Sequence, residues 1–152
     1  MDRERRLLVV AGLVWLSPAR LLVHRRAHAA RFGAGMLELP GGKIEPGESP
    51  ERALARELVE EWGPAAAQLT IGPIARVLHH DYPAPGPEVV LLVYHVDGRA
   101  WPDDSWREHA HAAGGEQLAA YDVGALPIAE FLPADRDVVD AIARGEHSSP
   151  WR

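Results

Sequence analysis

Two stretches of the chain are almost continuously apolar and rich in β-branched residues: "LLVVAGLVWL" at residues 7–16 and "EVVLLVYHV" at residues 88–96. A strand with one face in water alternates apolar and polar residues, whereas continuous runs predict strands that are covered on both faces. Shorter runs at residues 20–26, 71–80 and 118–123 predict further strands. The chain is therefore expected to fold around a sheet with other elements packed on its faces.

Two segments carry residues typical of helix boundaries. In "SPERALARELVEEWG", Ser49 is suited to cap a helix, Pro50 to occupy its first turn and Gly63 to end it. A second helix is predicted from about residue 133 or 135 to residue 144. The segments between elements predict a turn at residues 82–87 and a loop at residues 97–115. Strands with a few helices and no regular βαβ repeat indicate an α/β fold with a mixed sheet between helices.

Length and composition limit the classes of protein to consider. The 152 residues suit a single domain, residues 1–152, and the absence of cysteine excludes disulfides and thiolate metal sites. The formal net charge of −6 disfavours a nucleic acid polymer as a partner. No apolar run approaches the roughly 20 residues that a membrane span needs, and residues 7–16 are not followed by a signal-peptide cleavage site. We expect a cytoplasmic protein, monomeric or homodimeric, without a membrane partner.

Charge is unevenly distributed along the chain. A basic stretch lies between residues 20 and 31 and an acidic region between residues 45 and 61. The basic stretch comprises Arg20, His24, Arg25, Arg26, His28 and Arg31. The two segments could hold a small polyanion and a metal cation, or they could be ordinary solvated surfaces.

Three glutamates crowd one side of the first predicted helix. Glu57, Glu60 and Glu61 stand at positions i, i+3 and i+4, a spacing at which like charges destabilise a helix. An exposed acidic face is one explanation. The other is a hard cation such as Mg²⁺, which takes oxygen ligands and is commonly shared between carboxylates and substrate phosphates. The segment "LPGGKIEPGE" before the helix is expected to be a loop, and its glycines Gly41 and Gly42 allow close backbone approach to a ligand, which favours the cation site.

The stretch from Gly42 to Gly63 resembles the signature of the Nudix hydrolase family, G-x5-E-x7-R-E-U-x-E-E-x-G-U, where U is a bulky aliphatic residue. Eight positions fall in register: Gly42, Glu48, Arg56, Glu57, Leu58, Glu60, Glu61 and Gly63. Pro64 replaces the last aliphatic residue. This change is expected to affect the path of the chain after the helix and its packing, and not the metal-binding face. Similarity to MutT-type and CTP pyrophosphohydrolase-type members extends to "LLVHRRAH", "MLELPGGKIEPGES" and "FLPAD". The resemblance implies an α/β/α sandwich around a mixed sheet.

The resemblance also implies a metal site and a reaction. The family's metal-binding positions fall on the glutamates Glu57, Glu60 and Glu61 and on the backbone carbonyl of Gly41, with Mg²⁺ as the cofactor and Mn²⁺ as a substitute. Either Glu57 or Glu60 would accept a proton from the attacking water. Arg56 would brace the carboxylates by paired hydrogen bonds, and Glu48 would orient the loop or an outer metal ion.

Other site residues are expected around this metal site. Arg26 falls at a phosphate-binding arginine of MutT-type enzymes, and Glu116 at a glutamate that a loop supplies, a role for which Glu108 competes. Lys43 would meet a phosphate or be solvated, and Glu38 would touch the nucleotide or simply end a strand. The histidines His79, His80, His109 and His111 form no consistent zinc ligand set and are expected on loops and surfaces.

The implied activity is hydrolysis of a nucleoside triphosphate to a monophosphate and pyrophosphate, in the sanitising of modified nucleotides. Alternatives are hydrolysis of ADP-ribose, a nucleotide sugar or a dinucleoside polyphosphate, and a catalytically silent nucleotide-binding module. Asp135 falls where MutT-type enzymes selective for oxidised guanine carry an asparagine. Because an ionised aspartate only accepts hydrogen bonds, it favours the amino group of a cytidine-type base over 8-oxo-dGTP. Asp135 is also placed to cap the second helix, which is the alternative.

Overall fold

The computed structural model describes residues 6–152, so the first five residues of the predicted domain lie outside the described part. Most predicted elements are present, with bounds that differ by one or two residues from those expected. In chain order the strands and helices are β1 (Arg6–Ser17), β2 (Arg20–Arg25), β3 (Leu37–Glu38), β4 (Gly41–Lys43), α1 (Pro50–Trp62), β5 (Thr70–Asp81), β6 (Glu88–Asp97), α2 (Trp106–His109), β7 (Gln117–Asp122) and α3 (Pro133–Ala143).

The described strands form one seven-stranded sheet in the order β3-β2-β1-β6-β5, with β4 also paired to β1 and β7 to β2. Strands β1 and β6 pair in parallel along ten residue pairs, from Arg6 with Glu88 to Trp15 with Asp97. All other strand pairs are antiparallel. Because the two continuously apolar runs are these central neighbours, the prediction of strands covered on both faces is confirmed.

Each face of the sheet is covered by its own hydrophobic cluster. One cluster packs Val138, Val139 and Ile142 of α3 against the sheet, with Leu13 and Trp15 of β1. The other packs α1 against the opposite face, and it includes Leu54, Leu58, Trp62, Trp101 and Trp106. The α/β/α sandwich with a mixed sheet is therefore confirmed.

Three expectations need correction. The glycine pair lies in the short strand β4, paired with Val10 and Ala11 of β1, and not in a loop. Strand β3 was not predicted, and the expected loop at residues 97–115 contains the one-turn helix α2. Strands as short as β3 and β4 are defined by their partners in the sheet. Neither these strands nor a one-turn helix has enough residues to show a periodic pattern. Within residues 6–152, no helix combines the length and apolar character needed to cross a membrane.

Candidate active site

Helix α1 brings the acidic residues to the edge of the sheet. The hydroxyl of Ser49 accepts a hydrogen bond from the Arg52 backbone N–H at 3.2 Å, and the N–H of Gly63 closes the last turn on Val59. Burial of Leu54, Leu58 and Trp62 fixes the rotation of the helix against the sheet. As a result, the acidic face lies beside the sheet edge and does not point away from the protein.

Strand β4 supplies a backbone surface for two of the glutamates. The N–H of Gly41 donates to Oε1 of Glu61 at 2.8 Å. The Glu57 carboxyl group lies so close to Gly42 that a Cβ atom there would stand 2.4 Å from its Cδ. A side chain at residue 42 would therefore occupy the space of the Glu57 carboxylate, so glycine at this position allows the carboxylate to lie against β4.

Arg56 holds the acidic residues together. Its Nε and Nη2 donate to Glu48 at 2.7 and 2.8 Å, and Nη2 also donates to the carbonyl of Lys43 at 3.0 Å. Its Nη1 donates to Glu57 at 2.9 Å and to Glu60 at 3.3 and 3.4 Å. The structure thus gives Arg56 and Glu48 the bracing contacts that the sequence predicted, although the role of these contacts in catalysis stays a prediction.

The carboxylates that face the interior repel one another. Burial, with the negative charge of Glu38 next in importance, raises the pKa of Glu61 to about 9. Burial also raises the pKa of Glu57, whereas hydrogen bonds from Arg56 lower the pKa of Glu48 to about 2. For Glu57 and Glu61 the effect of burial outweighs the positive charge and hydrogen bonds nearby, and the side-chain groups that could ligate a metal ion on this helix face are carboxylate oxygens. These residues therefore fit a hard divalent cation such as Mg²⁺ or Mn²⁺.

Two adjoining pockets meet at the same three side chains. The Asp135 pocket, of about 230 Å³, is lined by Leu39, Lys43, Tyr82, Leu132 and Asp135, among others. The Glu116 pocket, of about 280 Å³, is lined by Ala27, Gly114 and Glu116, among others. Both pockets share Arg26, Glu38 and Glu61. Seven of the ten predicted site residues line these adjoining pockets, whereas Arg56, Glu57 and Glu60 line neither.

Arg26 and Arg25 have different surroundings. Arg26 donates to both carboxylate oxygens of Glu38 at 3.2 Å and to the Phe32 carbonyl at 2.8 Å. Arg25 donates to the Gly35 carbonyl and to Glu130. Only Arg26 of this pair lines the two pockets. The placement agrees with a substrate role for Arg26 and for Glu38.

Asp135 lies at the far end of its pocket and does not cap the helix. Its Oδ2 accepts the backbone N–H of Leu39 at 3.1 Å, and the α3 N-terminus has no side-chain cap. The alternative of a helix cap is therefore wrong. Burial, followed by the charge of Glu38, raises the pKa of Asp135 to about 7. Near neutral pH this side chain can be either a donor or an acceptor.

The candidate loop glutamates are separated by the structure. Glu116 precedes β7 and lines the pocket that also contains Glu38 and Glu61, with its carboxylate accepting the N–H of Gly114 at 3.0 Å. Glu108 is exposed on α2 and lines neither pocket. Glu60 is also outside the linings of both pockets, and 56% of its side chain is exposed.

The four histidines expected on loops and surfaces line neither pocket, although the ring of His80 contacts Tyr82 of the Asp135 pocket, with centroids 4.3 Å apart. His79 and His111 are exposed, and His109 stacks on Trp101 with ring centroids 5.9 Å apart. Of the four, only His111 lies in a loop, whereas His79 and His80 lie on β5 and His109 lies on α2.

One residue of the site was missed by sequence reasoning. His24, assigned above to the basic stretch, is completely buried, with Nε2 2.8 Å from Oε1 of Glu38 and 3.6 Å from Oε2 of Glu61. Its Nδ1 accepts a hydrogen bond from Nε1 of Trp62 at 2.8 Å. Ligand atoms of His24, Glu38 and Glu61 all lie within 4.8 Å of one another. The apolar residues Leu21 to Val23 that precede His24 were the available signal that its side chain is not in water.

A family model of the NUDIX domain matches residues 6–142. The 8-oxo-dGTP diphosphatase of Escherichia coli (strain K12) is 29% identical over 140 residues, which cover 92% of this chain and 98% of that protein. The CTP pyrophosphohydrolase of the same strain is 39% identical over 88 residues, which cover 58% of this chain and 60% of that protein. The crystal structure of the MutT protein from Methanosarcina mazei Go1 superposes with a TM-score of 0.67 at 22% identity, covering 93% of this chain and 96% of that one.

Proposed function

The chain belongs to the Nudix family and is a hydrolase, and from this premise we propose that it converts nucleoside triphosphates to monophosphates and pyrophosphate with Mg²⁺ as cofactor. The observation that supports the proposal is the pair of adjoining pockets. The carboxylates of Glu38, Glu61 and Glu116 line one pocket, and the other contains the buried polar side chain of Asp135. Such a pair of pockets suits a ligand with a charged end and a flat, polar-edged end.

The region of the carboxylates would hold the cation and the phosphates. Glu57, Glu60 and Glu61, with the carbonyl of Gly41, would be its ligands. When bound, Mg²⁺ would supply positive charge that neutralises phosphate oxygens and acidifies water. Arg26 and Lys43 would contact the phosphates, since both line the Asp135 pocket and carry fixed positive charge. Glu116 would add a carboxylate from the loop before β7.

Glu57 or Glu60 would accept the proton of the attacking water. Glu57 is the better placed of the two, because only 16% of its side chain is exposed and burial raises its pKa. A base with a raised pKa holds a proton more strongly near neutral pH, as general-base catalysis requires. Arg56 donates to both candidates and would keep them in position while the proton moves.

The Asp135 pocket would select the base. Ionised Asp135 accepts hydrogen bonds only, which supports cytidine-type triphosphates through their amino group. Protonated Asp135 donates and could pair with a carbonyl, which supports 8-oxo-dGTP as the second candidate. The relatives named above include both a CTP pyrophosphohydrolase and an 8-oxo-dGTP diphosphatase. We propose cytidine-type substrates first, because the acid is ionised above pH 7.

A pyrophosphate-release screen tests the proposal. It would compare CTP, dCTP, 5-methyl-dCTP, 8-oxo-dGTP and the unmodified nucleotides, with and without Mg²⁺, and the Glu61→Gln variant would be the control. We expect Mg²⁺-dependent release of pyrophosphate that the variant lacks. Release of monophosphates from ADP-ribose, a nucleotide sugar or a dinucleoside polyphosphate, without activity on triphosphates, would instead assign a different diphosphate substrate. A protein that binds nucleotides and cleaves none would be a silent module.

Cytoplasmic localisation and the monomer or homodimer state stay predictions.

A further inference from the structure

His24 and Trp62 are both fully buried, and their contact determines which nitrogen of the imidazole carries a proton. An indole N–H can only donate a hydrogen bond. Because Trp62 Nε1 lies 2.8 Å from His24 Nδ1, that nitrogen must present its lone pair. In a neutral imidazole the other nitrogen then holds the proton. His24 is thus the tautomer with the hydrogen on Nε2.

Among residues 6–152, one acceptor lies within hydrogen-bond distance of the Nε2–H group of His24. Nε2 lies 2.8 Å from Oε1 of Glu38, whereas Oε2 of Glu61 is 3.6 Å away. The same Oε1 of Glu38 also receives Arg26 Nη1 at 3.2 Å. Glu38 is therefore held from two sides, by a buried neutral donor and by a charged one.

The spacing of His24, Glu38 and Glu61 would suit a metal ion, yet the hydrogen bonds argue against His24 as a ligand. A metal at Nε2 needs the lone pair of that nitrogen, so the proton would have to move to Nδ1. Two N–H groups would then face each other in a buried site, where an unpaired donor is costly. Only the two carboxylates of the group remain available to a cation.

We propose that His24 is a positioning residue that orients Glu38 for substrate binding. The hydrogen bond from Trp62 keeps the proton of His24 on Nε2, so that His24 donates to Glu38 and does not bind a metal ion. The substrate-binding part rests on the proposed function, whereas the tautomer does not. Trp62 directly follows Glu61 on α1, so the same helix that carries the acidic face also sets the donor that holds Glu38.

Nitrogen-detected NMR of the protein tests the tautomer without any substrate. We expect His24 to show a protonated Nε2 and an unprotonated Nδ1, and to keep this pattern when Mg²⁺ or Zn²⁺ is added. Trp62→Phe removes the indole donor and should release a population protonated on Nδ1. Trp101→Phe is the matched control, because this buried indole donates to Gln68 at 2.9 Å and should leave His24 unchanged. A wild-type His24 with Nε2 unprotonated, or with a metal-shifted Nε2 signal, would overturn the proposal.

Kinetics test the positioning role. His24→Leu removes the donor and should raise KM by roughly 10- to 100-fold, the worth of a hydrogen bond to a charged group, with a smaller change in kcat. His24→Gln keeps an N–H donor and should restore part of the loss. In a Glu38→Gln background, His24→Leu should cause little further increase in KM, because the effect of His24 on KM depends on Glu38. Equal KM effects in both backgrounds would show that His24 does not act through Glu38. If the wild-type enzyme cleaved no nucleotide while the NMR pattern held, the proposed function would fail and the tautomer assignment would stand.

Discussion

At the scale of single residues, Arg56 shows how one side chain can gather several acids. It contacts Glu48, Glu57, Glu60 and the Lys43 carbonyl through three nitrogen atoms. A guanidinium presents its donors in one rigid plane, whereas an ammonium group is a compact point charge. The geometry of the acidic face therefore depends on the shape of this side chain as well as on its charge.

Arg56→Lys is expected to keep the positive charge and to lose the planar set of donors that contacts the acidic residues. We predict that cation affinity and turnover both fall by roughly 10- to 100-fold, the usual effect of removing a partner that orients metal ligands. Calorimetric titration with Mn²⁺ and the pyrophosphate assay would measure the two quantities. Arg52→Lys, on an exposed position of the same helix, is the control and should behave as wild type. A normal cation affinity in Arg56→Lys would contradict the bracing role.

The neighbouring arginines provide a matched pair. Arg26→Ala should reduce catalytic efficiency strongly, because the guanidinium that lines both pockets is lost. Arg25→Ala should have a small effect, since Arg25 contacts Gly35 and Glu130 instead. Steady-state kinetics on the best triphosphate would compare them. Equal, small losses in the two variants would remove Arg26 from the substrate site.

The raised pKa of Asp135 leads us to predict a substrate preference that changes with pH. Its pKa is raised to about 7, so it is mainly protonated below that pH and mainly ionised above it. The ratio of kcat/KM for CTP to that for 8-oxo-dGTP should therefore increase as pH rises from 6 to 8. Asp135→Asn carries no titrating group and should give a flat ratio shifted towards 8-oxo-dGTP. A wild-type ratio that is independent of pH would show that another residue selects the base.

At the scale of elements, the contact of strand β4 with helix α1 determines where the carboxylates lie. Gly42→Ala would place a methyl group 2.4 Å from the Glu57 carboxyl carbon and displace it. We predict a large loss of turnover with the fold retained, as measured by pyrophosphate release and circular dichroism. Gly47→Ala is the control: its φ is +84°, so it should cost about 1 kcal/mol of stability, but no atom within 4 Å opposes the methyl group. Full activity in Gly42→Ala would contradict the close contact.

Helix α1 and the five longer strands, β1, β2, β5, β6 and β7, could be predicted because their signals are local. Ser49, Pro50 and Gly63 mark the ends of α1 within the segment itself, and apolar runs mark the strands. Strands β3 and β4 have two and three residues, too few for any periodicity, and they exist because β2 and β1 pair with them.

The acidic part of the site was also predictable, since its residues lie on one helix at helical spacing. The contacts of His24 and Asp135 were not. His24 meets Trp62 across 38 residues, and Asp135 meets Leu39 across 96 residues. Nothing local to Asp135 distinguishes a helix cap from an acceptor for a distant backbone N–H. Such assignments depend on tertiary packing, which a single sequence does not display.

At the scale of the whole molecule, the acidic cluster affects stability as well as chemistry. Glu61 has a pKa of about 9 in the folded, cation-free protein, well above its value in an unfolded chain. Between those two pKa values the folded state binds more protons than the unfolded state, so stability is lost as pH rises from about 4 to about 9. Ionisation of Glu61, the proposed cation ligand, therefore opposes folding when no cation is bound.

Glu61→Gln should remove the loss of stability that the ionisation of Glu61 causes at high pH. We predict that the cation-free variant is more stable than wild type by a few kcal/mol at pH 8 and equally stable near pH 4, in urea titrations. Addition of Mg²⁺ should stabilise the wild-type protein, by about 2.7 kcal/mol at 100 times the Kd, and have little effect on the variant. A variant less stable than wild type at pH 8 would contradict the raised pKa.

The two hydrophobic clusters on opposite faces of the sheet have a consequence for which parts of this enzyme can be altered separately. The acidic helix rests on Leu54, Leu58 and Trp62 of one cluster, while most of the apolar wall of the Asp135 pocket, including Leu39 and Leu91, belongs to the other. Substitutions in separate packing environments combine almost additively. We therefore expect substitutions at Leu39 or Leu91 to leave the packing of helix α1 unchanged. If the Asp135 pocket selects the base, its apolar wall can then be altered without loosening the helix that carries the acidic face.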